Sequence, residues 1–118
     1  NVMPSKCSFG PLKVGTAYEM IITVKNEDSI ATRINIKPTR DKRIIVQQTE
    51  MGAIAPGLTR KITVTIKSSD EEKGFVKEEI QIITKSDIYK VPVEAQILPE
   101  EEYNQANLES QAIHRRSA

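Results

Sequence analysis

The residues able to do covalent chemistry are few and badly spaced for it. His114 is the only histidine and Cys7 the only cysteine, and they stand near opposite ends of the chain. A hydroxyl or thiol nucleophile needs a base within hydrogen-bond reach, so no Ser-His-Asp or Cys-His arrangement is expected in the body of the sequence. Cys7 lies beside alternating residues and reads as a buried, inert thiol. One Cys and one distant His also fall short of the donors that a zinc site needs. Asp70-Glu71-Glu72 and Glu78-Glu79 are acidic but lack EF-hand spacing, so they read as a solvated loop and a strand edge. Gly52 and Gly57 have neither the spacing nor the lysine of a phosphate loop. No catalytic residue, cofactor-binding residue or metal ligand is assigned. The chain reads as a non-enzyme without a cofactor.

Groups suited to binding are easier to find. Lys37, Arg40, Lys42 and Arg43 follow one another closely, and Arg60 and Lys61 lie just past a Pro-Gly turn. If the fold brings these segments together, they form a basic surface for an acidic peptide or for the acidic surface of tubulin. The competing reading is of ordinary solvated edge residues that block unwanted strand pairing. A third mode needs no pocket: the strand carrying Pro92, or the opening segment, could pair edge to edge with a partner strand.

The elements that position these groups are short strands. Met20, Ile22, Val24 and Asn26 share one face, with Ile21, Thr23 and Lys25 on the other. Asn26-Glu27-Asp28-Ser29 then reads as a turn. Thr32, Ile34 and Ile36 alternate with Arg33, Asn35 and Lys37 up to Pro38, which has no N–H to donate. Ile44 and Val46 continue the pattern, and Ala55-Pro56-Gly57 breaks it. Ile62, Val64 and Ile66 against Lys61, Thr63, Thr65 and Lys67 form the cleanest alternation. Ile80-Ile82-Thr84 and Tyr89-Val91-Val93-Ala95 complete the set, with Pro92 predicting a sheet edge or bulge for the last strand. Phe9 to Gly15 predicts a kinked edge segment bounded by glycines.

These signals predict an all-β, immunoglobulin-like sandwich of seven to eight strands over residues 1–98. Two Phe, three Tyr and no Trp leave the packing to Ile and Val. From Pro99 the character changes, and residues 99–118 read as a polar tail, a linker or a short helix. Residues 1–98 hold 15 Lys and Arg against 12 Asp and Glu. So slight a surplus is not the footprint of a nucleic-acid or membrane binder. No apolar run approaches the roughly 18 residues of a membrane helix. A single Cys forbids an intrachain disulfide and predicts a reducing compartment. The opening Asn, in place of Met, suggests a piece of a longer protein.

The order of the signals resembles the ASH domain. Pro4, then Phe9-Gly10 with Val14-Gly15, then a strand ending in Asn26, resembles its opening. Ala55-Pro56-Gly57 before Ile62-Thr63-Val64-Thr65-Ile66 resembles the turn before its penultimate hairpin. Val91-Pro92-Val93-Glu94-Ala95 falls where that family ends its last strand, with Ala95 in place of the usual Gly. The likeness spans about residues 2–97, and the major sperm protein domain shares the architecture. It implies a non-catalytic protein–protein interaction or scaffold module of a microtubule-associated protein. The implied place is cytoskeletal, in the axoneme of motile cilia or flagella and its central apparatus, with the centrosome as the alternative. Implied partners are axonemal or centrosomal proteins or tubulin, with no nucleic acid and no membrane insertion. The alternative function is a major sperm protein-like receptor for acidic peptide motifs at an organelle or centrosome surface.

Overall fold

The structure, a computed structural model, describes residues 1–106 apart from residues 38, 49, 70–72 and 86. The expected strand stop at Pro38 and the acidic run at 70–72 therefore lie outside the described residues, as do His114 and the rest of 107–118. Eight strands form: β1 (Val2–Met3), β2 (Cys7–Lys13), β3 (Ala17–Lys25), β4 (Asn35–Lys37), β5 (Ile44–Gln48), β6 (Thr59–Lys67), β7 (Gly74–Ile83) and β8 (Ile88–Leu98). They make two four-stranded sheets, ordered β1-β3-β6-β5 and β2-β8-β7-β4. This is the immunoglobulin-like sandwich that the alternation predicts.

Period-2 patterning decides the core. Ile22 and Val24 of β3 face inward with Ile62, Val64 and Ile66 of β6, and Ile80 and Ile82 of β7 face inward with Val91 and Val93 of β8. Among the buried apolar side chains of the described residues, only Cys7, Leu12 and Ala95 are neither Ile nor Val. No aromatic ring is fully buried; Phe9, Tyr18 and Tyr89 pack at its margin. At ~1.5–3 kcal/mol for each fully buried side chain, this branched aliphatic core supplies the main driving force.

Two expectations need correction. The strand carrying Pro92 is not at an edge: β8 runs between β2 and β7. Pro92 is tolerated because β2 begins its pairing one residue later, at Cys7 opposite Val93, so no β2 partner stands opposite the proline. The Thr32–Lys37 strand is also shorter than its alternation. Only Asn35–Lys37 joins the β7 ladder, while Thr32 is held instead by an isolated bridge to Ile54. The opening segment is an edge, and it is kinked. β2 pairs parallel with β8, and its register shifts between Ser8 and Gly10, where Gly10 has φ +69°.

The Asn26 turn ties one pole of the sandwich together. The Asn26 Nδ2 group donates to the carbonyls of Ile30 at 2.9 Å and Ile54 at 2.8 Å, while Oδ1 accepts from the Asp28 N–H at 2.9 Å. Its backbone N–H donates to Leu58 and its carbonyl accepts from Gly57. Gly57, at φ +80°, follows Pro56 in a turn closed by the Leu58 N–H on the Ala55 carbonyl, a conformation that favours glycine. At the other pole a helix begins at residue 100. Lys13 Nζ lies 3.2 Å from Glu100 Oε1 there, and the Lys13 N–H donates to the Tyr18 hydroxyl at 3.0 Å.

Candidate protein-binding surface

The six basic residues singled out by their spacing do not form one patch. Lys37 ends β4, and Arg40 and Lys42 lie exposed on the connection to β5. None of these three forms an ion pair among the described residues. Arg43 is spoken for. Its guanidinium makes a two-pronged contact with Asp41, Nη2 to Oδ2 at 2.6 Å and Nε to Oδ1 at 2.9 Å. Nη2 also reaches the Phe75 carbonyl at 3.2 Å. Both partners of the pair are largely buried, with side chains 17% and 16% exposed. The hydrogen bonds from Arg43 hold the Asp41 carboxyl below its ordinary pKa, against the opposing push of burial.

Arg60 and Lys61 do not join that group. Arg60 shares its parity with Ile62, Val64 and Ile66 and is buried on the inner face of β6, only 6% exposed. Its Nη1 donates to the Gly52 carbonyl at 2.9 Å, and its Nε is buried without a hydrogen-bond partner among the described residues. Lys61 is exposed but lies at the wrong end of the strand. It stands opposite Thr23, whereas Arg43 accepts from the N–H of Lys67, six residues further along β6. At ~3.4 Å per residue the two sites are about 20 Å apart. The basic residue that stands opposite Arg43 is therefore Lys67, a residue missed in the sequence. The β5–β6 register is the signal that would have found it.

Arg60 bears on stability, not on recognition. Arg60→Met loses one hydrogen bond but also removes a buried charge that no carboxylate pairs among the described residues. Urea titration should find it within about 1 kcal/mol of the parent. A loss beyond ~3 kcal/mol would mean that the guanidinium anchors the connection between β5 and β6.

Two concave surfaces accompany these groups. One, of about 380 Å³, is a trough on the outer face of the β2-β8-β7 sheet between Pro11, Phe75 and Gln96, beside the Lys6–Glu94 contact at 3.0 Å. Phe75 is 76% exposed there. The other, also about 380 Å³, opens between the edge strands β4 and β5, with Ile34, Ile36, Ile44 and Val46 along its walls and Met51 at its rim. Among the described residues no group of three His, Cys, Asp or Glu is placed to hold a metal ion. No described helix is long and apolar enough to cross a membrane.

Comparisons with known proteins agree with this architecture. A family model described as "PapD-like: Flagellar-associated PapD-like" matches residues 1–98. Among solved structures, a protein of unknown function from Porphyromonas gingivalis W83 superposes with a TM-score of 0.66 at 15% identity, covering 81% of this chain and 45% of that one. This chain thus spans less than half of the bacterial protein. The ASH / PapD-like domain 7 of human CEP192 gives 0.65 at 9% identity over 84% of each chain. SSP-19, an MSP-domain protein like family member in Caenorhabditis elegans, gives 0.63 at 9% identity over 80% of this chain and 97% of its own. At such identities the likeness is one of fold.

Proposed function

We propose, from the premise that this chain belongs to the flagellar-associated PapD-like domain family, that it is a non-catalytic scaffold module of a microtubule-associated protein in the axoneme of motile cilia or flagella, at the central apparatus. The observation that carries the reading is the family match, which covers the whole sandwich. The PapD-like, major sperm protein and ASH folds are binding folds, and this chain is a protein-interaction module. Fold alone does not choose the partner, so the axonemal reading rests on the family and not on geometry.

Localisation tests it. Tagged protein carrying this domain is expected along the axoneme of a ciliated cell, and to stay with the microtubules after detergent extraction. Removal of residues 1–98 should reduce that retention. A diffuse signal would overturn the axonemal reading, and a focus at the cilium base would favour the centrosome.

A second reading, capture of acidic peptides, is favoured by Lys37 at the end of β4 and by Arg40 and Lys42 on the connection after it, all exposed and without an ion pair among the described residues. It predicts salt-sensitive binding of an acidic peptide, weakened about tenfold or more by the double substitution Lys37→Glu/Arg40→Glu. Equal affinity at low and high salt would exclude it.

A further inference from the structure

The three tyrosines of the chain occupy different settings. Tyr18 lies within β3, opposite Ile66 of β6, and its hydroxyl accepts the Lys13 N–H. Tyr89 lies within β8, opposite Ile82 of β7. Neither can be drawn out as an extended segment without breaking a ladder. Tyr103 lies outside both sheets, half-buried on the helix over residues 100–106 that follows β8. Its hydroxyl meets that of Tyr18, and its neighbours Glu101, Glu102, Asn104 and Gln105 are exposed. A helical stretch of about two turns has little stability of its own, so residues 100–106 can unwind while both sheets stay paired.

The sequence around Tyr103 is equally distinct. Glu100, Glu101 and Glu102 precede it without interruption, and all three are exposed. Lys13 Nζ is 3.2 Å from Glu100, while Glu101 and Glu102 form no ion pair among the described residues. Tyr18 follows Gly15-Thr16-Ala17 and Tyr89 follows Ser86-Asp87-Ile88, so neither has such a run before it. An enzyme that modifies side chains chooses among identical acceptors by the charges around them, and a basic cleft holds carboxylates on one side of its target.

We propose that Tyr103 is a phosphorylation site, taken by a protein tyrosine kinase whose cleft holds the three glutamates before it. The Tyr103 oxygen attacks the γ-phosphorus of ATP in line. The new O–P bond forms as the bond to the β-phosphate oxygen breaks, ADP leaves, and the phenolic proton passes to a carboxylate of the kinase. The product carries about −1.5 to −2 of added charge beside Glu100, Glu101 and Glu102, at the pole where β8 leaves the sandwich.

Mass-spectrometric site mapping tests this, on the 118-residue chain incubated with ATP and a purified tyrosine kinase that modifies glutamate–tyrosine copolymer. At low conversion Tyr103 should hold about tenfold or more the phosphate of Tyr18 and Tyr89 together. Tyr103→Phe should abolish that incorporation. Glu101→Lys/Glu102→Lys changes only exposed side chains outside the sheets, and should slow Tyr103 about tenfold or more. The map of the unsubstituted chain needs no variant, so it decides even where a substitution unfolds the protein. No incorporation under conditions that modify the copolymer overturns the proposal. So does phosphate spread evenly over the three tyrosines, or a lysine variant modified as fast as the parent.

Discussion

Replacing Asn26 with alanine is expected to destabilise the fold by about 3–5 kcal/mol, which urea titration would read as a lower midpoint at an unchanged slope. The figure follows from what the side chain does. It is 3% exposed and makes three hydrogen bonds, two as donor to the carbonyls of Ile30 and Ile54 and one as acceptor from Asp28. A net ~1 kcal/mol for each bond is the lesser part. The substitution also strands polar groups that were paired at a site largely closed to water, at ~1–3 kcal/mol for each one left buried. Asn26→Asp is the sharper probe: it keeps the acceptor for Asp28 but aims an anion at two carbonyls, so it should be no better than alanine. A cost below 1 kcal/mol for either variant would mean that the pole is held by its backbone bonds alone.

Cys7 should make stability fall at alkaline pH. The thiol is fully buried at the start of β2, and burial pushes its pKa above the ordinary value. The folded state therefore keeps its proton to a higher pH than the unfolded chain, whose thiol titrates near ~8.5. Below that pH both states hold the proton and the contribution is complete. As pH rises past it, ionisation favours the unfolded chain, and stability falls by up to about 1.4 kcal/mol per pH unit until the folded thiol itself ionises. Tyrosines and lysines also titrate in this range, so the decisive quantity is the difference between parent and Cys7→Ala, which should narrow from pH 8.5 upward. Alkylation of native Cys7 should in turn be at least ~10³-fold slower than in urea, because reaction waits for opening. Labelling at the unfolded rate would show that the β2–β8 edge opens freely.

The long strands with one inward face were legible from alternation alone: β3, β6 and β8 follow their period of two from end to end. The start of β7 was not. Phe75-Val76-Lys77-Glu78-Glu79 mixes charge with apolar residues because β4 covers only the far end of β7, leaving this stretch beside an open flank. The same arithmetic that found Ile62 and Val64 also assigns Arg60 to the inner face, and charge drew attention away from that parity. The distance between Lys61 and Lys42 could not be read at all without the strand register. Nor could the parallel pairing of β2 with β8, which joins residues more than eighty positions apart and leaves no local trace.

That parallel pairing decides how the domain meets mechanical load. The chain enters at the pole where Asn1 contacts the Lys25 carbonyl, and β8 leaves at the opposite pole beside Lys13. Tension between the two ends pulls β2 and β8 in opposite directions along their shared axis. The register from Cys7 opposite Val93 to Lys13 opposite Leu98 is then strained as a unit, in shear, and cannot be unzipped one bond at a time. Among the described residues, the two-residue β1 is the strand that lies ahead of this clamp, and it can peel away first. A pulling measurement should record one abrupt rupture, with the bulge at Gly10 as its weakest point. Whatever the domain is tethered between would receive from such a module a stiff link that yields all at once.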